Sequence, residues 1–375
     1  MRSQTLDFAH RSPSFSVARW RVPESGSVFL APRSGFFMAK PHRYLLFAEL
    51  SYAFEILRPL QAAALERGDE VAWFLNGPVP GNLLPGERLL RTTAEVRAFD
   101  PDAVLVPGNE VPLSFPGLKV QVFHGLGIEK KGHFRIRGMF DLFCTFGPLT
   151  TAPFEQLARQ HGWFKVVETG WPKTDVLLRT PPAARAEGDE KRILYAPTFS
   201  PSLTSTPALA AEIAGIVARR PWRWTVKFHP KMAEEFAAPL RAIHADNFET
   251  VSTTALAPLL QDADVLLTDT SSVAAEFMLL DKPVVAFRNR LPGPHLVNVD
   301  DPAALESNLE AALGGDDPSR EARRDYAHAM QPLRDGRSSE RVLDAVEAML
   351  ATGRGDLKRK PLSLLRRFKY WRKLR

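Results

Sequence analysis

Short apolar runs alternate with segments of helical periodicity along most of this chain, and this alternation restricts the fold more than any other feature. The first run, Tyr44–Ala48, is followed by a segment with apolar residues at helical spacing, Ser51–Arg67. Further strands are predicted at Glu70–Leu75, Ala103–Val106, Lys119–Phe123, Asp141–Phe146 and Val166–Glu168. Strands that alternate with helices in this way form a parallel sheet with helices on both faces.

A second series of the same kind follows Thr180–Glu190, a segment rich in Pro, Ala, Gly and charge that is typical of a linker. Its predicted strands are Arg192–Ala196, Trp224–Phe228, Glu249–Val251, Ala263–Leu267 and Pro283–Phe287, and its predicted helices are Leu209–Arg219, Met232–His244 and Ser272–Leu280. We therefore expect an α/β protein with two Rossmann-like, doubly wound parallel-sheet domains that face a central cleft. Ligands bind such folds beyond the carboxyl ends of the strands.

The predicted organisation divides the chain into five parts. They are an irregular extension at 1–37, an N-terminal domain at 38–178, a linker at 179–190, a C-terminal domain at 191–352 and a basic tail at 353–375. No secretion signal or membrane span is predicted, because charged residues interrupt every apolar run before the ~20 residues that a bilayer requires. The one cysteine, Cys144, cannot form an internal disulfide, which fits a reducing cytoplasm.

The net charge of +6 is unevenly distributed. Residues 357–375 hold nine Lys or Arg and no Asp or Glu, so the rest of the chain has a net charge of −3. A basic protein of this size is usually a candidate for nucleic-acid binding. Here the globular part is mildly acidic, and we expect no nucleic-acid partner.

Four polar clusters lie at the ends of predicted strands, where this architecture places its ligand sites. The first is His124-Gly125-Leu126-Gly127. A histidine can take a proton from a hydroxyl at neutral pH, and the glycines allow a substrate to approach closely. Lys130 and Lys131 follow, and they either offset phosphate charge or are solvated lysines of an ordinary loop.

The next two clusters each combine a lysine with a turn. Gly170-Trp171-Pro172-Lys173-Thr174-Asp175 follows the last strand of the first half and is either a rigid binding turn or a plain crossing between domains. Lys227-Phe228-His229-Pro230 ends the strand that starts near Trp224. Its lysine and histidine supply two donors to the cleft, unless the histidine only caps the strand.

The fourth cluster, Thr268-Asp269-Thr270-Ser271-Ser272, lies between an apolar strand and the helix that starts at Val273. Hydroxyl residues cap a helix, and its first N–H groups and its dipole attract an anion. Three hydroxyls with these N–H groups suit a diphosphate. The chain has no GxGxxG after its first strand, no GxxxxGKS/T and no CxxC. Asp262-Ala263-Asp264 precedes a strand, so no metal site is predicted.

In chain order, these clusters and three further segments resemble the CDP-glycerol glycerophosphotransferase family, the enzymes that build teichoic-acid-like polyol phosphate chains. The resemblance covers roughly residues 120–345. The matching segments are His124-Gly125, Gly170–Asp175, Leu194–Phe199, Lys227–Pro230, Thr268–Ser272, Leu279–Pro283 and Asp335–Arg341. The family usually has Arg where Lys173 stands, Tyr where Thr270 stands and Asp where Glu276 stands.

The resemblance implies a GT-B fold and transfer of glycerol phosphate from CDP-glycerol to an acceptor hydroxyl, with release of CMP and no obligatory metal or other cofactor. It implies that His124 is the general base and that His229, with Lys227 near it, binds and polarises the diphosphate. Thr270, Ser271 and Ser272 are the implied phosphate ligands. The other implied substrate contacts are Gly125, Lys130, Gly170, Lys173, Asp175, Thr198, Asp269, Glu276 and Arg341. Two alternatives remain: a CDP-ribitol-type transferase, and a sialyl- or capsule-type glycosyltransferase of GT-B fold that uses a CMP- or UDP-sugar.

The last 14 residues, 362–375, have the pattern of a basic amphipathic helix. Apolar and basic residues alternate at helical spacing, and the predicted membrane contacts are Leu364, Leu365, Arg366, Arg367, Phe368, Trp371 and Arg372. This pattern predicts attachment to an anionic membrane surface; a solvated tail and a nucleic-acid patch are the alternatives. Family acceptors are lipid-linked saccharides or polyol phosphate chains, so we expect a cytoplasmic enzyme bound peripherally to the inner face of the cell membrane.

Overall fold

Two parallel β-sheets organise the part of the chain that the computed structural model describes, which is residues 40–77, 83–126, 133–180, 188–252, 255–315, 317–355 and 357–361. The strands of the first sheet are β1 (Arg43–Ala48), β2 (Glu70–Leu75), β3 (Leu89–Leu90), β4 (Ala103–Val106), β5 (Leu118–Gln121), β6 (Leu142–Thr145) and β7 (Lys165–Glu168). They lie in the order β3-β2-β1-β4-β5-β6-β7. The helices of this half are α1 (Ala53–Glu66), α2 (Thr93–Phe99) and α3 (Pro148–His161).

Helix α4 (Thr174–Arg179) leads to the second sheet. Its strands are β8 (Arg192–Tyr195), β9 (Arg223–Lys227), β10 (Phe248–Val251), β11 (Val265–Thr268), β12 (Val284–Phe287) and β13 (Val297–Val299). Their order is β10-β9-β8-β11-β12-β13. The helices are α5 (Thr206–Arg219), α6 (Glu234–Arg241), α7 (Ala257–Asp262), α8 (Val273–Met278), α9 (Leu305–Gly314), α10 (Arg320–Met330) and α11 (Ser338–Thr352), with a 3-10 turn at Pro302–Ala304 before α9.

In the first sheet β1 lies between β2 and β4, and in the second sheet β8 lies between β9 and β11. From β1 and β4, and likewise from β8 and β11, the chain continues toward opposite edges of the sheet. Leu45 of β1 pairs with Val104 of β4, and Leu194 of β8 pairs with Leu266 of β11. A crevice opens at such a point, beyond the carboxyl ends of the strands. The predicted doubly wound α/β fold is confirmed.

Burial explains why the central strands could be predicted from the sequence. Every residue of β4, β6, β11 and β12 is buried. Central strands of a parallel sheet are covered on both faces, so they are continuous apolar runs without alternation.

The last two helices pack on the first sheet although they follow the second one in the chain. Apolar side chains of α10 and α11 belong to the core that surrounds β1 to β6: Ala327, Met330, Val342, Leu343, Val346 and Met349. Asp175, at the start of α4, accepts hydrogen bonds from the backbone N–H groups of Ser338 and Ser339, at 2.8 and 2.7 Å. The predicted domain boundaries, drawn as continuous ranges, stay a prediction.

Asp141, just before β6, anchors the segment that follows α11. Its buried carboxylate accepts from the backbone N–H of Lys119 at 2.9 Å and from the ammonium of Lys360 at 2.6 Å, and it pairs with the guanidinium of Arg354. Residues 357–361 are thus part of the folded body. The predicted membrane contacts at 364–372 lie outside the described residues. None of the described helices has both the length and the apolar character needed to cross a membrane.

Candidate active site

His124 lies just beyond the carboxyl end of β5. Its Nδ1 atom is 3.2 Å from the carbonyl oxygen of Pro107, which follows β4. Because a carbonyl oxygen can only accept, Nδ1 carries the hydrogen, and Nε2 is the basic nitrogen of the neutral ring. The ring of Tyr52 lies beside the imidazole, with their centroids 5.8 Å apart. In this tautomer of His124, Nε2 is the ring nitrogen that can take up a proton.

The residue before His124 has a strained backbone. Phe123 has a φ of +59°, in the left-handed region that non-glycine residues rarely adopt. Its buried ring packs among other aromatic rings, including Phe146 and Phe154 at 5.2 Å, and its carbonyl accepts from the indole N–H of Trp171 at 3.4 Å. Strain of this kind costs about 1–3 kcal/mol and persists where packing overrides it. Here the ring packing and the contact with Trp171 fix the backbone directly before His124.

His229 follows β9 and has the opposite tautomer. Its Nδ1 accepts from the backbone N–H of Lys231 at 3.1 Å, so Nε2 carries the hydrogen. The ring stacks on Phe199 with centroids 4.3 Å apart. Burial lowers the pKa of His229 to about 4, and the ammonium groups of Lys227 and Lys231 contribute to the decrease. His229 is therefore a neutral hydrogen-bond donor at physiological pH.

Two lysines and two glutamates form a charged cluster from elements of both halves. The ammonium of Lys173 lies 2.9 Å from the carboxylate of Glu276 on α8 and 3.3 Å from that of Glu55 on α1. Burial alone would lower the pKa of Lys173, but the two carboxylates outweigh it and raise the pKa. Lys227 is half-buried within electrostatic range of the other three, and burial lowers its pKa. Lys173, Lys227 and Glu276 were predicted from the sequence, and Glu55 was not.

The loop after β11 contains a buried carboxylate, which binds the backbone of other loops, and three hydroxyl residues. The buried carboxylate of Asp269 accepts from the backbone N–H groups of Thr198 and Ser205, at 2.9 and 3.0 Å. Asp269 therefore holds two loops together, and its role as a substrate contact stays a prediction. Thr270 accepts from the backbone N–H of Arg290 at 3.0 Å. The half-buried side chains at this edge of the second sheet are Thr198, Thr270, Ser271 and Ser272.

Three other predicted substrate contacts, Asp175, Gly170 and Arg341, lie on α11 or contact its first residues. Asp175 uses both carboxylate oxygens on the start of α11, as described above. Gly170 has a φ of +77°, and a Cβ atom there would lie 2.4 Å from the hydroxyl of Ser338, so this glycine allows α11 to pack closely. Arg341 pairs with Asp335 and lines a cavity of about 470 Å³ beside β7. Asp175 and Gly170 thus make structural contacts with α11, and their roles as substrate contacts stay predictions.

Gly125 and Lys130 complete the predicted set. Gly125 follows His124, and a Cβ atom there would meet nothing within 4 Å, so the backbone is open to an approaching molecule. Lys130 lies outside the described residues. Among the residues that are described, no group of three or more His, Cys, Asp or Glu side chains could hold a metal ion.

Polar residues that were not predicted from the sequence lie beyond the carboxyl ends of β1 and β2. Glu49 follows β1, and its carboxylate accepts from the side-chain amide of Asn76 after β2, at 3.0 Å. Tyr52, just before α1, is 40% exposed. Glu49 and Asn76 each come directly after a predicted strand, which is the signal that could have identified them. Each is a single polar residue and not part of a polar cluster, so the sequence pattern was too weak to predict a site there.

Comparison with known proteins identifies the family to which the chain belongs. Residues 139–348, more than half of the chain, match the sequence profile of the CDP-glycerol:poly(glycerophosphate) glycerophosphotransferase family. The chain belongs to this family. The matched range contains His229 and the charged residues Lys173, Lys227 and Glu276, whereas His124 and Glu55 precede it.

One curated relative is the teichoic acid glycerol-phosphate primase of Bacillus spizizenii, 33% identical over 205 residues. The match covers 52% of this chain and 44% of the primase, so the chain matches less than half of that relative's length.

Solved structures show the same fold at low identity. A structure of the wall teichoic acid polymerase TagF soaked with CDPG has a TM-score of 0.61 at 16% identity, over 83% of this chain and 90% of that chain. A putative UDP-N-acetylglucosamine 2-epimerase from Listeria monocytogenes has a TM-score of 0.59 at 15% identity, over 87% of this chain and 100% of that chain. Both confirm the predicted GT-B-like arrangement.

Proposed function

We propose that this protein transfers glycerol phosphate from CDP-glycerol to an acceptor hydroxyl and releases CMP, in the synthesis of a teichoic-acid-like surface polymer. The acceptor is a lipid-linked saccharide or a polyol phosphate chain. Family membership supports the donor, as do the primase relative and the TagF structure soaked with CDPG.

The observation that carries the proposal is the opposite tautomer of the two histidines. His124 donates from Nδ1 to Pro107, so its Nε2 can take a proton. His229 accepts at Nδ1 from Lys231, so its Nε2 donates one hydrogen bond. A phosphoryl transfer needs one base for the nucleophile and fixed donors for the charge on the leaving group.

In the proposed reaction, Nε2 of His124 accepts the proton of the acceptor hydroxyl as the hydroxyl oxygen forms a bond to the phosphorus that bears glycerol. The bond from this phosphorus to the bridging oxygen of the diphosphate breaks in line, and its electron pair leaves with CMP. The Nε2–H group of His229 and the ammonium of Lys227 stabilise the negative charge that develops on CMP. Thr270, Ser271 and Ser272 supply further polar groups to the phosphates.

Lys173 and Glu276 have a more indirect part in this proposal. The ammonium of Lys173 lies 2.9 Å from the carboxylate of Glu276. The charge of Lys173 is therefore already neutralised before the donor binds. We assign both to the wall of the donor site, where they set the electrostatic environment of Lys227.

Substitution of His124 tests the assignment of the base. His124→Ala should lower CMP release from CDP-glycerol by roughly 10²–10⁴-fold, while calorimetry should show CDP-glycerol binding unchanged. His244→Ala is the matched control, because His244 is exposed after α6. Turnover retained in His124→Ala would remove His124 as the base, and loss of donor binding in the same variant would move it to the donor site.

A further inference from the structure

The aromatic ring of Phe199 lies against the imidazole of His229 at the carboxyl edge of the second sheet. Phe199 follows β8, and His229 follows the neighbouring strand β9. The two ring centroids are 4.3 Å apart and the ring planes differ by 27°, so the rings are stacked. Rings at this distance are in van der Waals contact, and water cannot lie between them.

The loop that carries Phe199 is fixed on both sides of this residue. The backbone N–H of Thr198 donates to both carboxylate oxygens of Asp269, at 2.9 and 3.1 Å. The carbonyl of Ser200 accepts from the backbone N–H of Thr204 at 2.8 Å and closes a turn. Phe199 lies between these two hydrogen-bonded residues, so the backbone determines where its ring can lie.

Lys231 contacts both residues of the stack. Its backbone N–H donates to Nδ1 of His229 at 3.1 Å, and its ammonium lies 5.8 Å from the centroid of the Phe199 ring. A cation above an aromatic face at this distance is attracted to the ring. The imidazole is therefore held at Nδ1 by a hydrogen bond and on one face by Phe199. Together these two contacts fix the direction of its Nε2–H group.

We infer that Phe199 is a positioning residue for His229, whose ring fixes the plane of the imidazole without itself contacting the donor. The inference rests on the proposed function, in which the Nε2–H group of His229 stabilises the negative charge that develops on CMP. A donor that is already oriented needs no reorganisation when this charge appears, whereas an imidazole that rotates freely must first be fixed.

The stack also affects the protonation of the imidazole. Burial lowers the pKa of His229 to about 4, and it contributes more than the ammonium groups of Lys227 and Lys231. The ring of Phe199 supplies part of this burial, because it covers one face of the imidazole. Loss of the ring therefore has a consequence in the free protein, since water then reaches the uncovered face.

NMR of the full chain with labelled histidine tests the assignment without any substrate. In Phe199→Ala we expect the pKa of His229 to rise from about 4 toward its ordinary value of about 6.5. Phe199→Tyr keeps an aromatic ring and should keep the low pKa. Leu65→Ala removes an apolar side chain that is 53% exposed on α1, and as the control it should leave the pKa unchanged.

Steady-state kinetics separate positioning from direct contact with the donor. Phe199→Ala should lower kcat for CMP release by about tenfold and leave the KM for CDP-glycerol unchanged, because the oriented N–H group acts in the transition state. His229→Ala removes the N–H group itself and should cost more, roughly 10²–10³-fold. Phe199→Tyr should restore kcat.

The ring of His295, which stacks on Tyr326 at 4.1 Å, reports in the same spectra whether the fold is intact. If Phe199→Ala loses the fold, Phe199→Leu takes its place, because leucine fills more of the volume of the ring.

Two results would overturn the inference. One is an unchanged pKa of His229 together with an unchanged kcat in the folded variant that lacks the ring. The other is a raised KM for CDP-glycerol with kcat unchanged, since Phe199 would then contact the donor directly. Failure of the wild type to release CMP from CDP-glycerol would instead overturn the proposed function, and the pKa comparison would still decide whether Phe199 acts on His229.

Discussion

Lys173 and Glu276 form an ion pair in which the ammonium nitrogen lies 2.9 Å from a carboxylate oxygen. Lys173 is two residues after Trp171, which belongs to the core of the first sheet, and Glu276 lies on α8 beside the second sheet. Glu55 on α1 contacts the same ammonium at 3.3 Å. One lysine therefore joins a helix from each half of the molecule.

This arrangement predicts a large cost when the lysine is removed. Lys173→Met should lower the free energy of unfolding by about 3 kcal/mol, because it leaves two carboxylates close together without their cation. Glu55→Gln should cost less than about 1 kcal/mol, since the side chain of Glu55 is 31% exposed and that of Glu276 only 9%. Urea unfolding measures both values, with Lys191→Met as an exposed control. Equal losses for Lys173→Met and Lys191→Met would contradict the account.

The pKa of His229 gives a second prediction, measured by NMR titration of the ring. In the free protein we expect a value of about 4, and Lys231→Gln should raise it because a neighbouring positive charge is removed. CDP-glycerol should also raise it, since the diphosphate brings negative charge. A value of 6.5 or higher in the free protein would contradict the burial and charge described here.

The same shift predicts a pH dependence of stability. The pKa of His229 is about 4 in the folded protein and about 6.5 in the unfolded chain, so the unfolded chain takes up the proton first as pH falls. The contribution of His229 to stability is present above pH 6.5 and is lost as pH falls from about 6.5 to 4. The fall in melting temperature over this range should be smaller in His229→Gln than in the wild type.

The basic tail gives a fourth prediction. Lys360 is bound to Asp141, so a truncation that tests the tail should begin after Pro361 and keep this contact. Removing residues 362–375 deletes six Lys or Arg residues and brings the formal net charge from +6 to zero. The shortened protein should no longer float with vesicles of anionic phospholipid and should keep its activity on a soluble acceptor. Unchanged flotation would show that the tail does not attach the protein to the membrane.

The sequence predicted the parts of the fold that depend on local pattern. Buried central strands such as β4 and β11 are continuous apolar runs, and their predicted bounds differ from the observed ones by two residues at most. The two-residue strand β3 and the short strand β13 have no comparable signal and were missed.

The site was predicted only in part, for a physical reason. His124 and His229 follow predicted strands and Lys227 lies at the end of one, and all three lie at the carboxyl edges of the sheets. Asp175 has the same kind of local signal, but its carboxylate binds the backbone N–H groups of Ser338 and Ser339, more than 160 residues away in the chain. Packing against residues that are distant in the chain produces no pattern in the sequence near Asp175, so it could not be predicted from that sequence. Glu55 was missed in the same way, because its partner Lys173 is distant in the chain.

A donor panel tests the central claim most directly. The wild-type protein is incubated with an octyl glycoside acceptor and, separately, with CDP-glycerol, CDP-ribitol, a CMP-sugar and a UDP-sugar, and the nucleotide and acceptor products are identified by mass spectrometry. The account predicts CMP from CDP-glycerol together with an acceptor that has gained one glycerol phosphate. Glycosyl transfer from a CMP- or UDP-sugar, with no product from CDP-glycerol, would contradict it.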